Sequence, residues 1–258
     1  MLATLSSPLC VAQDYATEPA APTGFSSWDF QLLYGTHFEE PFNPHYVSKG
    51  TLTIENVSAW SWGSSYFFLD ILKSDGNDDH ATEGYAEWYP SASLGKLFNS
   101  DLSFGPVSDV SATMGFNLGR KSNGAHPLVY VPGLTWSLKL PGFAFFSLGT
   151  YAYVDRGKFE GTGNGCHDTT WQVTPSWSLP FEVGGGKFAF DGFVDFIGEH
   201  GACKSQILSQ PQLKVDLGSF SGHPDKYYLG VEWQYWHNKF GNDGLIESFP
   251  EILFVWKP

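Results

Sequence analysis

The sequence predicts an all-β fold, a 12-stranded antiparallel transmembrane β-barrel of the outer-membrane type, and four observations predict it. Polar and apolar residues alternate one by one through segment after segment, as they do where a strand separates water from an apolar medium. Aromatic residues make up 17% of the chain and charged residues only 16%, against roughly a quarter in soluble domains. No run of eighteen apolar residues offers a transmembrane helix. The connections between segments also alternate, long then short, which is the pattern of outer loops and periplasmic turns.

The first strand is expected over Trp28 to Thr36, with Trp28, Phe30, Leu32 and Tyr34 opposed to Asp29, Gln31 and Gly35. A long polar loop leads to the second, Thr51 to Val57, and a tight turn around Ser58 to Ser61 to the third, Tyr66 to Leu72. The acidic loop Ser74 to Thr82 precedes the fourth, Glu83 to Leu94. The clearest alternation is the fifth, Val107 to Arg120: Asp109, Ser111, Thr113, Gly115 and Asn117 on one face, Val110, Ala112, Met114, Phe116 and Leu118 on the other. The sixth runs Leu128 to Lys139, the seventh Phe145 to Asp155 and the eighth Trp171 to Leu179. The ninth spans Phe188 to Ile197, the tenth Gln210 to Leu217 and the eleventh Tyr228 to His237. A last strand sets Ile252, Phe254 and Trp256 on one face. A soluble sandwich also alternates, but it would have to show to solvent the Asp, Glu, Lys and Gln that these strands carry mid-length, where a pore shows them to its lumen.

The chain is expected to divide into a signal-peptide remnant (1–12), a disordered periplasmic lead-in (13–24) and the barrel (25–258). A net charge of −13 makes nucleic acid an unsuitable partner. Much of the acid lies in loops, at Glu39, Glu40, Asp75, Asp78, Asp79, Glu160, Asp168 and Asp243, where it is placed to bind divalent cations bridging lipopolysaccharide. Cys10 lies in the signal remnant. Cys166 and Cys203 fall in outer loops, where an oxidising compartment permits a disulfide between them.

The segment Asn99 to Arg120, NSDLSFGPVSDV followed by MGFNLGR, is similar to a motif of the nucleoside-specific channel-forming outer-membrane proteins, the Tsx-like family. YPSASLGKL (Tyr89 to Leu97), GFVDF (Gly192 to Phe196) and YWH (Tyr235 to His237) follow the same family order. The resemblance implies a monomeric twelve-stranded barrel with a narrow lumen passing nucleosides across a bacterial outer membrane. It also implies recognition of a terminal aromatic by the barrel-assembly machinery, with Trp256 in that place two residues before the end.

A nucleoside presents a flat base and a hydroxylated, uncharged sugar, so its pore needs aromatic faces beside donors and acceptors. Strand parity puts Tyr66, Phe68, Tyr151, Tyr153, Phe193 and Trp236 on inward faces as the aromatics. Glu87, Asp109, Asn117, Asp195, Glu232 and Gln234 are the leading polar candidates, joined by Glu55, Asp70, Lys139 and Lys214. No cofactor, metal site or catalytic group is expected: all eight His lie in loops or at strand ends, without a serine-esterase signature. A non-selective porin and a lipid-modifying outer-membrane enzyme are the alternatives, and the outer loops are candidate receptor surfaces for phages or toxins.

Overall fold

The computed structural model describes residues 24–159 and 166–258; the expected signal remnant with Cys10, the expected lead-in up to residue 23, and Glu160 lie outside them. Twelve strands form one closed wall: β1 (Phe25–Phe38), β2 (Val47–Trp60), β3 (Gly63–Ser74), β4 (Thr82–Ser93), β5 (Val107–Arg120) and β6 (Leu128–Leu138) make its first half. The second half is β7 (Phe145–Asp155), β8 (Thr169–Val183), β9 (Gly186–Ile197), β10 in two pieces (Gln206–Ser209 and Gln212–Asp216), β11 (Tyr227–His237) and β12 (Ile246–Trp256). Each strand pairs antiparallel with its sequence neighbours, and β1 pairs with β12 from Phe30 opposite Trp256 to Tyr34 opposite Ile252, which leaves no edge.

The faces follow from the alternation. Along β12, Glu247, Phe249, Glu251, Leu253 and Val255 are at most 4% exposed, whereas Ile252 between them is 64% exposed. Trp28, Leu32, Met114, Leu118, Trp171, Leu229, Trp233 and Phe254 stand on the same outer surface. A wall that buries glutamate and displays leucine and tryptophan suits lipid outside and a polar lumen inside. Two apolar groups lie inside as well. Leu33, Tyr228, Leu253 and Val255 fill the lumen toward the short-turn end, and Phe38, Val47 and Phe249 toward the loop end.

Several strands outrun their expected limits. β2 and β3 stay in register to Trp60 opposite Gly63, so the turn contracts to residues 61–62, with Trp60 and Trp62 packed edge to face at 5.3 Å. β10 begins at Gln206 and breaks at Gln210 and Pro211, because proline brings no N–H to a ladder. The two long even-numbered connections each hold a short helix: α1 (Leu94–Phe98), capped by Ser93, and α2 (Leu217–Phe220), capped by Asp216. Lys139 corrects the parity reading: it lies past the end of β6, in the turn, and is exposed.

Candidate functional site: the lumen

One wall of the lumen is aromatic. Spacing of two along β3 and β4 aims Tyr66 and Phe68, and Tyr85, Glu87 and Tyr89, inward. Phe68 lies 6.0 Å by ring centroid from both Tyr66 and Tyr85, and Tyr89 lies 6.2 Å from Tyr151 of β7. The phenol of Tyr66 donates to Glu55 (2.9 Å), that of Tyr85 donates to Glu87 (2.6 Å), and Tyr151 shares a 2.8 Å bond with Thr135. These bonds fix the rings and leave their faces to the lumen.

The other wall, from β1 and β10 to β12, is a mesh of amides and carboxylates. Gln212 donates to Gln31 (3.0 Å) and to Glu232 (2.8 Å); Gln210 donates to Glu232 (3.2 Å) and Gln234 (2.9 Å); Gln234 donates to Glu247 (3.1 Å). Lys214 pairs with Asp191 at 3.0 Å. Asp70 accepts from Thr53 at 2.5 Å, and Asp195 accepts from Thr174 at 2.5 Å and Gln172 at 3.0 Å. Among the described residues four buried side-chain acceptors have no protein partner: Asn117 Oδ1, Gln172 Oε1, Asp191 Oδ1 and Glu251 Oε2. Buried polar atoms are ordinarily satisfied, so these four stand out as open acceptors.

At the outer mouth lies an arrangement that parity does not foresee. Lys49 meets Glu40 (2.6 Å) and Glu83 (2.9 Å), Lys121 meets Glu83 (2.9 Å), and Lys239 meets Glu247 (2.5 Å) and Glu40 (3.3 Å). Lys121 and Lys239 also lie 4.9 and 5.1 Å from the ring centre of Phe240. Burial pushes the Glu40 carboxyl upward, but Lys239, Lys121 and Lys49 outweigh it and hold the group below its ordinary value. Glu40 is thus committed to lysines rather than free for divalent cations. Asp75 and Asp78 are committed too: Asp75 accepts from the backbone N–H of Asn77 (3.0 Å) and Ser48 (3.2 Å), and Asp78 from the Ser74 hydroxyl (2.8 Å). Among the described residues no group of three His, Cys, Asp or Glu side chains is placed to hold a metal.

All twelve leading candidates fall on the inward register, but at different depths. Tyr66, Phe68, Glu87, Asn117 and Tyr151 gather mid-wall, where Glu87 stands opposite both Phe68 and Asn117. Glu232 and Gln234 belong to the amide mesh, and Asp195 and Phe193 lie on β9 two residues apart. Tyr153 packs edge-on to His200 near the loops (5.3 Å), Trp236 packs edge-on to Phe240 at the mouth (4.5 Å), and Asp109 stands apart at the turn end beside Gly95. Sequence reasoning missed Tyr85 and Tyr89, which the same period-two count along β4 would have found. It also passed over Gln31, Gln172 and Gln212. In the outer loops Cys166 and Cys203 stand with Cα atoms 5.1 Å apart, at disulfide separation.

The chain belongs to the family described as "Domain of unknown function (DUF5020)", which matches residues 44–257. It is 22% identical over 248 residues to "Nucleoside-specific channel-forming protein Tsx" of Escherichia coli O157:H7, a match covering 86% of this chain and 81% of that protein. It is 23% identical over 247 residues to "Outer membrane protein OmpK" of Vibrio parahaemolyticus, covering 93% and 88%. Among solved structures it is similar to "KdgM porin", at 11% identity and a TM-score of 0.47, covering 90% of this chain and 98% of that one. The likeness to Tsx-like channels thus extends over most of the chain, and the protein is an outer-membrane β-barrel of the channel-forming kind.

Proposed function

We propose that this barrel passes nucleosides by facilitated diffusion, performs no chemistry of its own, and works as a monomer. The observation that carries the reading is the division of the lumen into an aromatic wall (Tyr66, Phe68, Tyr85, Tyr89, Tyr151) and an amide-carboxylate wall (Gln31, Gln210, Gln212, Glu232, Gln234). A base slides along rings, and base stacking on an aromatic is worth about 1–3 kcal/mol. The sugar hydroxyls and exocyclic amines exchange water for the carboxylates and for the unpartnered oxygens of Asn117 and Gln172. Attraction of this size at several successive positions holds a solute weakly enough to release it, as conduction requires. The similarity to a protein named as a nucleoside-specific channel supports the same reading.

The test is the current through single refolded barrels in a planar bilayer, with adenosine, thymidine and a disaccharide added in turn. Block by the nucleosides alone is expected, weakened by Tyr89→Ala or Tyr151→Ala on the aromatic wall and by Phe193→Ala or Trp236→Ala. Equal response to all three solutes would replace this reading with a non-selective porin.

A further inference from the structure

Two acidic residues of the lumen stand where like charges are least welcome. Glu232 of β11 and Glu251 of β12 are directly opposite each other in the ladder, their side chains on the same inward face. Both are nine-tenths buried or more, at 6% and 3% exposure. Like charges at such a cross-strand position repel, and a sheet normally avoids them. The nearest lysines are engaged with other partners: Lys214 pairs with Asp191 and donates to Gln212, and Lys239 pairs with Glu247 and Glu40 at the mouth. Glu232 is partly served by amide donors from Gln210 and Gln212. Glu251 has no such help, for its Oε2 is buried with no hydrogen-bond partner while its side chain lies over the bare backbone of Gly35.

A second facing couple, with a donor on each carboxylate (Gln31 to Asp29 at 3.0 Å, Tyr66 to Glu55 at 2.9 Å), lies nearer the turn end. Asp29 of β1 and Glu55 of β2 are also directly opposite in register. Repulsion between paired carboxylates is relieved by a positive charge between them. The absence of a third converging ligand among the described residues argues for a loosely held monovalent cation rather than a chelated metal.

We propose that the Glu232–Glu251 pair is a transit site for a monovalent cation, and that it makes the pore select cations over anions. This rests on the channel reading but not on nucleoside preference, which a separate solute-block measurement decides. The Asp29–Glu55 couple then forms the next step for the same ion along the lumen.

The experiment is the reversal potential of the single refolded barrel across a KCl gradient at pH 8. The wild-type protein is expected to favour potassium over chloride, and Glu232→Gln with Glu251→Gln to lose most of that preference. Glu199→Gln, at an exposed outer-loop position, is the control and should leave the ratio unchanged. Heat-modifiable gel mobility reports whether each variant is a folded barrel; where the double variant is not, Glu251→Gln alone takes its place. A wild-type ratio of one or below, a preference that survives the removal of both carboxylates, or a folded barrel without ion current would each overturn the proposal. Nucleoside block without cation preference would retire this site and leave the nucleoside reading intact.

Discussion

At the outer mouth single residues carry large energies. Lys239 is 3% exposed and Glu247 fully buried, and the two meet at 2.5 Å. Truncating one member of such a pair strands the other, and the usual cost is about 3–5 kcal/mol. Lys239→Ala should therefore lower the barrel's unfolding free energy in urea by about that much, whereas Lys239→Met combined with Glu247→Leu should lower it far less. Equal losses would show that the ion pair itself stabilises the mouth, and that the stranded partner is not what costs. Glu40 adds a pH signature. Its folded pKa is depressed, so its contribution is complete above the ordinary 4.5 and is lost as pH falls through the lower folded value. His200 runs the opposite way. Burial disfavours its charge, but the bonds to Asp155 and the Gly198 carbonyl prevail and raise its pKa above 6.5. Its stabilisation is present below 6.5 and is lost as pH rises through the folded value. An NMR titration of the His200 imidazole should find its midpoint above 6.5; a midpoint below would mean the Asp155 contact is not formed in solution.

At the scale of the strand, period two decides what each substitution meets. On β12 the outward Ile252 and the inward Glu251 are neighbours in sequence and opposite in environment. Ile252→Arg puts a charge on the lipid face near mid-strand and should cost about 2–4 kcal/mol of folding free energy in bilayers. Refolding into lipid vesicles of defined thickness measures it, and an unchanged free energy would contradict the placement of this face against lipid. The same periodicity explains how much was legible in advance. The strand count, the closed topology and the inward faces of β3, β5, β9 and β11 follow from alternation that depends only on neighbours in sequence. The break in β10 depends on one proline in the ladder, and the limits of β2 and β3 on pairing that persists past the predicted turn. Leu253 and Val255 face inward although they are apolar, because they pack there against Leu33 and Tyr228. The mouth cluster was not legible: Lys49, Lys121 and Lys239 are far apart in sequence, Lys121 and Lys239 lie just beyond the ends of β5 and β11, and the three meet only when β12 closes against β1.

For the whole molecule the barrel wall and the outer loops are distinct sources of stability. The wall is closed by hydrogen bonds between every adjacent pair of strands, which lipid leaves no water to replace. The loops lean on side-chain links instead: the mouth lysines, the His200 contact and the Cys166–Cys203 pair. That pair spans 37 residues and bridges the loop before β8 to the loop after β9. A crosslink acts mainly on the unfolded chain, and closing a loop of this length is worth about 3–4 kcal/mol in the chain-entropy account. β8 and β9 are already neighbours in the folded wall, so cutting the link should leave the lumen as it is. Non-reducing mass spectrometry should find the two thiols joined. Reduction, or Cys166→Ser with Cys203→Ser, should then lower the unfolding free energy by roughly 2–4 kcal/mol while single-channel conductance stays at its oxidised value. Two free thiols in the mature protein would remove the link. A conductance that changed with reduction would mean that the outer loops, held by this bridge, reach into the path of the solute.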